Sequence, residues 1–346
     1  MVTTLDSMVV ARSAREVLAW SRGLVEPVLR SAVDTLPSSL LQIAGYHLGW
    51  WDEDGHPVRV SGGKAIRPAL TLLCAQAVGG RAAAEPAAVA VELVHNYSLL
   101  HDDVMDGDLT RRHRRTAWTV FGINPAILAG DALLVLAFDV LIGSGHPATA
   151  DAVRMVTAAV QELLDGQRAD LSFEQRAELE LADCARMAEG KTAALIGCAC
   201  ALGAVFGGGT PEQVMCLRDF GTYLGLAFQH VDDLLGIWGD PAVTGKPVHS
   251  DLCSRKKSFP VVAALASQTA AGRELATLYH RDEPLSATDA AHAAELIDVA
   301  GGRDWSQKQA DELLVQAIRQ LHCASPAPRA AAELGALARL ATHRDH

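Results

Sequence analysis

HNYSLLHDDVMDGDLTRRHRR, residues 95–115, is the stretch whose reading decides the fold. An apolar-rich run enters it from Pro86 and predicts one long helix ending at Asp106, with Pro86 suited to the first turn. Four aspartates then crowd together, Asp102, Asp103, Asp106 and Asp108, and the basic run Arg111, Arg112, His113, Arg114, Arg115 follows at once. Like charges at this density repel unless a cation sits among them. On a helix, positions i and i+4 lie on one face a turn apart, so Asp102 and Asp106 are placed to share one. Oxygen-only ligation by a few carboxylates suits Mg²⁺, which keeps its other positions for water and phosphate.

Outward from this helix the chain reads as helix after helix. The patterns predict helices over Ala11–Val33, Leu40–Trp50, Ile66–Val78, Pro125–Ile142, Ala148–Arg168, Leu181–Val205 and Pro211–Trp238, then four shorter ones from Pro260 to about Thr342. Pro and Gly breaks such as GSGHP and FGGGTP separate them. No alternating strand pattern of useful length, internal repeat or Ser/Gly linker interrupts the series. The expectation is an all-α, single-domain chain over 1–346, with 1–8 flexible. Thr192–Thr210 is uncharged and long enough to span a bilayer. Its Ala, Gly, Cys and Thr content fits a buried helix of an all-helical core better, so the chain is read as not transmembrane.

A second acidic pair, Asp232 and Asp233 in FQHVDDLLGIWGD, ends another long helix; its i+4 position is Gly236. Two helices ending in paired carboxylates can face each other across a cavity, as metal sites in bundles do. Cations concentrate beside these motifs although Lys and Arg total only 30: Lys64 and Arg67, the Arg111–Arg115 run, Lys191, and Lys246, Arg255, Lys256 and Lys257 in the polar loop after the second pair. Arginines offer bidentate contacts to phosphate and lysines point charges. The net charge of −11 argues against nucleic acid or an anionic membrane as the main partner. Asp6 and Arg12 interrupt what a signal peptide would need, so a cytoplasmic location is expected. The seven scattered cysteines, including Cys198-x-Cys200, read as buried thiols and not as a disulfide or metal site.

Together, GGKAIRP (62–68), HNYSLLHDDVMD (95–106), Arg111-Arg112, Lys191-Thr192, Phe228-Gln229, Asp232-Asp233 and Gly245-Lys246 resemble the trans-isoprenyl diphosphate synthases, the polyprenyl synthetase family, over nearly the whole chain. The resemblance implies a helical bundle around a deep apolar cavity, with both acidic helices at its mouth, and a homodimer. It implies three Mg²⁺ ions, two on Asp102 and Asp106 and a third on Asp232 with Asp233 beside it. Arg111, Lys191, Lys246 and, as a looser match, Lys256 would hold an allylic diphosphate. Lys64, Arg67, His95 and Arg112 would hold isopentenyl diphosphate, and Thr192 and Gln229 would offer oxygen dipoles to the developing allylic cation.

The reaction so implied is condensation of isopentenyl diphosphate with an allylic diphosphate. Tyr97, five residues before Asp102, is the expected floor for the growing chain, and small Ser98 leaves space beside it. One aromatic without a second suggests the C20 product, geranylgeranyl diphosphate, with C15 farnesyl diphosphate as runner-up. A terpene cyclase has no use for the second diphosphate set at Lys64, Arg67, His95 and Arg112. A non-catalytic partner subunit is the remaining alternative, left open by Gly236.

Overall fold

The computed structural model describes residues 11–58, 63, 65–80, 84–173, 176, 179–241, 248–281 and 285–342. The start expected to be flexible, 1–8, lies outside the described residues. Helix α1 (Ala14–Val33) opens on a capping box: the Ser13 and Glu16 side chains each accept from the other's backbone N–H. After it come α2 (Ser38–His47), α3 (Ile66–Ala77) and α4 (Glu85–Met105). Asp106 is the residue on which α4 ends. Two short strands, β1 (Thr110–Arg111) and β2 (Arg114–Arg115), which the sequence reading did not include, pair antiparallel across the basic run. Arg112 and His113 turn between them with φ of 51° and 62°.

Helices α5 (Ala117–Phe121), α6 (Ile123–Gly143) and α7 (Thr149–Phe173) follow. α7 runs five residues past the expected Arg168, which brings Asp170 into the helix. The predicted Leu181–Val205 helix is three pieces: α8 (Leu181–Ala188), a wide π turn (Glu189–Ala193) and α9 (Ala194–Phe206). α10 (Pro211–Trp238) matches its prediction, with Thr210 and Gln213 forming its capping box and Pro211 in its first turn. The C-terminal part holds more helix than expected. It comprises α11 (Ser250–Cys253), α12 (Phe259–Ala266), α13 (Ala270–Tyr279), α14 (Ala287–Val299), α15 (Gly302–Cys323) and α16 (Pro328–Thr342).

Two large apolar clusters hold the bundle. One joins α1, α2, α4, α6 and α7 through residues such as Val33, Val94, Leu133 and Leu163. The other joins α3, α10, α15 and α16 through Leu70, Phe220, Leu224 and Leu337. Both draw on α9, which supplies Leu195 and Leu202 to the first and Ile196 and Cys200 to the second. Its small residues let neighbours approach on every side. Among the described residues two helical stretches are long and apolar enough to cross a membrane; Leu181–Phe206 is mostly buried, while Ile123–Gly143 is not.

The cysteine expectation needs one correction. Cys198 and Cys200 are buried and unpaired, but Cys216 and Cys323 form a disulfide, with Cα atoms 5.9 Å apart. They lie on α10 and α15, 107 residues apart in sequence, and only the packing of those helices brings them together.

Candidate active site

The two acidic motifs reach the site on different helices, and each divides its carboxylates between the opening and the protein. On α4, Asp103 is buried and turned aside: its Oδ1 accepts from Arg111 Nε at 2.6 Å. The basic run thus returns one of its arginines to the helix it follows. Burial pushes the Asp102 carboxyl up to about 6; nearby Lys191 opposes that shift and Asp106 adds to it. Asp106, at the rim, is raised as well, by lost solvation and by Asp170 against the pull of Lys191. Asp106 raises Asp102 and Asp170 raises Asp106, so the three carboxylates share one gap with Lys191. Their all-oxygen donor set fits a hard divalent cation such as Mg²⁺.

On α10, Asp232 is exposed while Asp233 is buried. Asp233 accepts from Gln229 Nε2 at 2.8 Å and from the Phe259 N–H at 3.0 Å, so both of its oxygens are occupied by protein donors. Burial raises it to about 6, against the influence of Lys256 and these two hydrogen bonds. Gln229 Oε1 in turn accepts from Thr192 Oγ1 at 2.5 Å. The chain Thr192–Gln229–Asp233 therefore fixes the amide with its oxygen towards Thr192.

Thr192 and Lys191 sit in the π turn, a feature that recurs at functional sites. The turn packs on α7 through facing glycines. A Cβ on Gly166 would fall 2.2 Å from Lys191 N, and one on Gly190 would fall 2.5 Å from Glu162 O. This approach lets Lys191 Nζ reach Asp170 Oδ2 at 2.5 Å. Asp170 was missed in the sequence because it stands alone, just past the expected end of its helix. Lys256 completes this side. Burial lowers its pKa, but Asp251, Asp233, Asp170 and Asp232 together more than reverse that and hold it charged.

A second cationic group lies where the start of α3 meets the middle of α4 and the β1–β2 hairpin. Arg67 Nη1 stands 3.2 Å from His95 Nε2. Burial, then Arg67 and Arg112, hold the His95 pKa well below the usual histidine range, so the ring is neutral and accepts from Arg67. Gly63, at φ +101°, lies under the Arg112 guanidinium, where a Cβ would come within 2.7 Å of Cζ. Its carbonyl accepts from Arg22 Nη2 at 2.9 Å. The hairpin that carries Arg112 is pinned by Arg114, which donates to the carbonyls of Tyr46 and Trp51. Lys64 and Lys246 lie outside the described residues.

Tyr97 is buried, with its ring edge-on to His101 at a centroid separation of 4.7 Å. Burial and then the charge of Asp131, on α6, raise its phenol. Ser98, also buried, folds its hydroxyl back onto the His95 carbonyl at 2.8 Å.

Residues 56–297 match the family model Polyprenyl synthetase. The chain is 46% identical over 338 residues to (2E,6E)-farnesyl diphosphate synthase of Mycobacterium tuberculosis, covering 96% of this chain and 94% of that protein. It is 45% identical over 350 residues to geranylgeranyl diphosphate synthase of the same organism, covering 99% of each. The structure of a polyprenyl synthetase from Streptomyces coelicolor superposes with a TM-score of 0.90 at 46% identity, over 95% of this chain and all of that one. Two cationic groups around carboxylates from two helices are what joining two diphosphate substrates requires, and likeness of this extent leaves one assignment: the chain belongs to the polyprenyl synthetase family and is a short-chain prenyltransferase.

Proposed function

We propose that the enzyme condenses isopentenyl diphosphate with the allylic diphosphates of five, ten and fifteen carbons (dimethylallyl, geranyl and farnesyl) and releases geranylgeranyl diphosphate, C20. The observation that carries the length is Ser98. It is small, lies on nearly the same face of α4 as Asp102, and bonds to its own helix. Tyr97, five residues or roughly 7–8 Å lower at 1.5 Å per residue, is the residue read as the floor. The farnesyl and geranylgeranyl relatives are equally similar to this chain. Overall identity therefore does not decide between C20 and the second reading, C15.

Arg111, Lys191, Lys246 and Lys256 receive the allylic diphosphate, while Lys64, Arg67, His95 and Arg112 receive that of isopentenyl diphosphate. Asp102, Asp106 and Asp232 hold Mg²⁺, three ions in all, with Asp170 facing the same gap; Asp233 serves through Gln229. When bound, Mg²⁺ neutralises charge on the departing diphosphate. Thr192 has spent its proton on Gln229, so its oxygen lone pairs are the part left to face the allylic carbon as positive charge develops. Apolar walls keep water from that carbon. The isopentenyl double bond attacks it, and a proton leaves to the released diphosphate.

The active form is a homodimer. α6 leaves Leu128, Val135 and Ile142 exposed at seven-residue spacing along its length, and apolar side chains presented in this way suit a second copy. The domain runs through 1–346 and the protein is cytoplasmic, in keeping with its charged surface and the burial of Leu181–Phe206. The test is incubation with labelled isopentenyl diphosphate, Mg²⁺ and each allylic primer, followed by product-length analysis. A C20 end product from all three primers is expected. C15 as the longest product selects the second reading.

A further inference from the structure

A polar pair lies buried between α10 and α15. Ser306, on α15, has no exposed surface, and its Oγ stands 2.9 Å from Nδ1 of His230, which is buried on α10. Burial holds the His230 ring down to about 4, so it is neutral near pH 7 and one member of the pair donates to the other. The bond fixes the plane of the imidazole. That plane lies against the Phe259 ring, with centroids 3.9 Å apart and 18° between the planes. Trp305, next to Ser306, meets His230 edge-on at 5.6 Å and leans on Phe259 at 6.3 Å. Gly302 lets the start of α15 come so near, because a Cβ there would fall 2.3 Å from the Pro260 carbonyl oxygen. Phe259 opens α12, and its N–H is one of those that a helix cannot satisfy from within. Ser258 supplies no side-chain cap; the Asp233 carboxyl accepts from this N–H instead.

We propose that His230 is a positioning residue: pinned by Ser306, it holds Phe259 where its N–H meets Asp233, and so sets the Gln229 amide and Thr192 beyond it. Asp233 has one oxygen on Phe259 and the other on Gln229, so a shift of the first bond is passed to the second. A buried hydrogen-bonded pair adds little net stability over two apolar groups of the same shape. What it adds here is a single orientation of a flat ring, which an aliphatic side chain at 230 cannot supply.

The inference rests on reading Asp233 as serving the reaction through Gln229 and Thr192, and the experiment separates the two. In the intact enzyme, His230→Leu with Ser306→Ala (the Leu pair) removes both polar groups and the flat ring. His230→Phe with Ser306→Ala (the Phe pair) keeps a flat ring, and Asp233→Asn is made alone and in the Leu pair. Steady-state kinetics with both substrates are the readout, and circular dichroism confirms folding. The Leu pair should lose about tenfold in kcat, the scale for residues that act through another, with both KM values within about twofold of the parent. The Phe pair should return kcat to within about threefold of the parent, because the stacked face is kept. Asp233→Asn in the Leu pair should fall no more than about threefold below Asp233→Asn alone, the non-additivity of residues acting as one unit. Ser306→Ala alone removes a single oxygen and should lower kcat about threefold; it carries the test if the Leu pair does not fold, and an unchanged kcat then overturns the inference. Full kcat in the Leu pair overturns it too. So does a loss that multiplies in full with that of Asp233→Asn, as independent support of the fold would, or a Phe pair no better than the Leu pair. An unaffected Asp233→Asn overturns the reading of the relay itself.

Discussion

The ends of α4 and α10 carry the same Asp-Asp pair and use it differently. In both, the first aspartate looks towards the opening and the second towards the protein. Asp103 turns to Arg111, and so fixes a cation that follows in the chain. Asp233 turns to Gln229 and the Phe259 N–H, and so fixes a polar relay and the start of α12. The difference extends one turn further. α4 stops at Asp106, which is freed as a third carboxylate, whereas α10 continues to Trp238 and admits Asp251 beside Gly236. A dipeptide therefore does not define a role; the helix end around it does.

The comparison breaks most visibly at the first aspartates. Asp102→Ala should lower kcat by about a thousandfold or more, the cost of losing charge stabilisation at the departing group, and excess chelator should abolish turnover of the unmodified enzyme. Steady-state assays check both. Asp102→Ala activity within tenfold of the parent would end the claim that α4 leads.

The second aspartates sharpen it. Asp103→Asn and Asp233→Asn should each cost about ten- to a hundredfold, the range for residues that act through another. They should differ in kind: Asp103→Asn in allylic diphosphate binding through Arg111, Asp233→Asn in kcat through Thr192 and Gln229. Separate KM and kcat measurements distinguish them, and identical signatures would erase the contrast.

Below α4 the same assay reads product length. Tyr97→Ala should extend the product beyond C20 and Ser98→Phe should shorten it, each visible by chromatography of the released chains. An unchanged spectrum in both moves the floor to another helix.

The smallest effect lies away from both ends. Glu333 on α16 is buried and receives Arg12 and Arg329. Burial raises its pKa, but these arginines outweigh it and hold it at about 2 against 4.5 unperturbed. A depressed carboxylate adds stability that is complete above pH 4.5 and is lost as pH falls towards 2, at most about 3 kcal/mol. Glu333→Gln should lower Tm at pH 7 with unchanged kcat, and the gap should close near pH 2.

The long helices and the acidic motifs were legible in the sequence, because periodicity, caps and charge crowding are local. Pro211–Trp238 was placed to the residue, and the Thr210–Gln213 capping box that starts it joins sequence neighbours. What was hidden depends on contact between distant segments. Asp170 has meaning only once Gly166 and Gly190 bring α7 against the π turn, and Asp251 only once a loop folds onto Gly236. The Cys216–Cys323 pair is of the same kind. The wide turn itself escaped notice because five residues of Glu-Gly-Lys-Thr-Ala carry no signal that separates it from an ordinary helix.

That turn has a consequence for everything that follows it. An α-helix advances about 100° per residue, so absorbing one extra residue into a turn resets the phase of the next segment by roughly that angle. Glu189–Ala193 is such a phase shifter. It lets Lys191 point to Asp170 and Thr192 to Gln229. It also delivers α9 in the rotation that puts Leu202 and Phe206 into one cluster and Ala204 into the other. Shortening the turn by one residue would leave composition and hydropathy almost untouched, yet rotate the central helix of the bundle out of register with both of its neighbours.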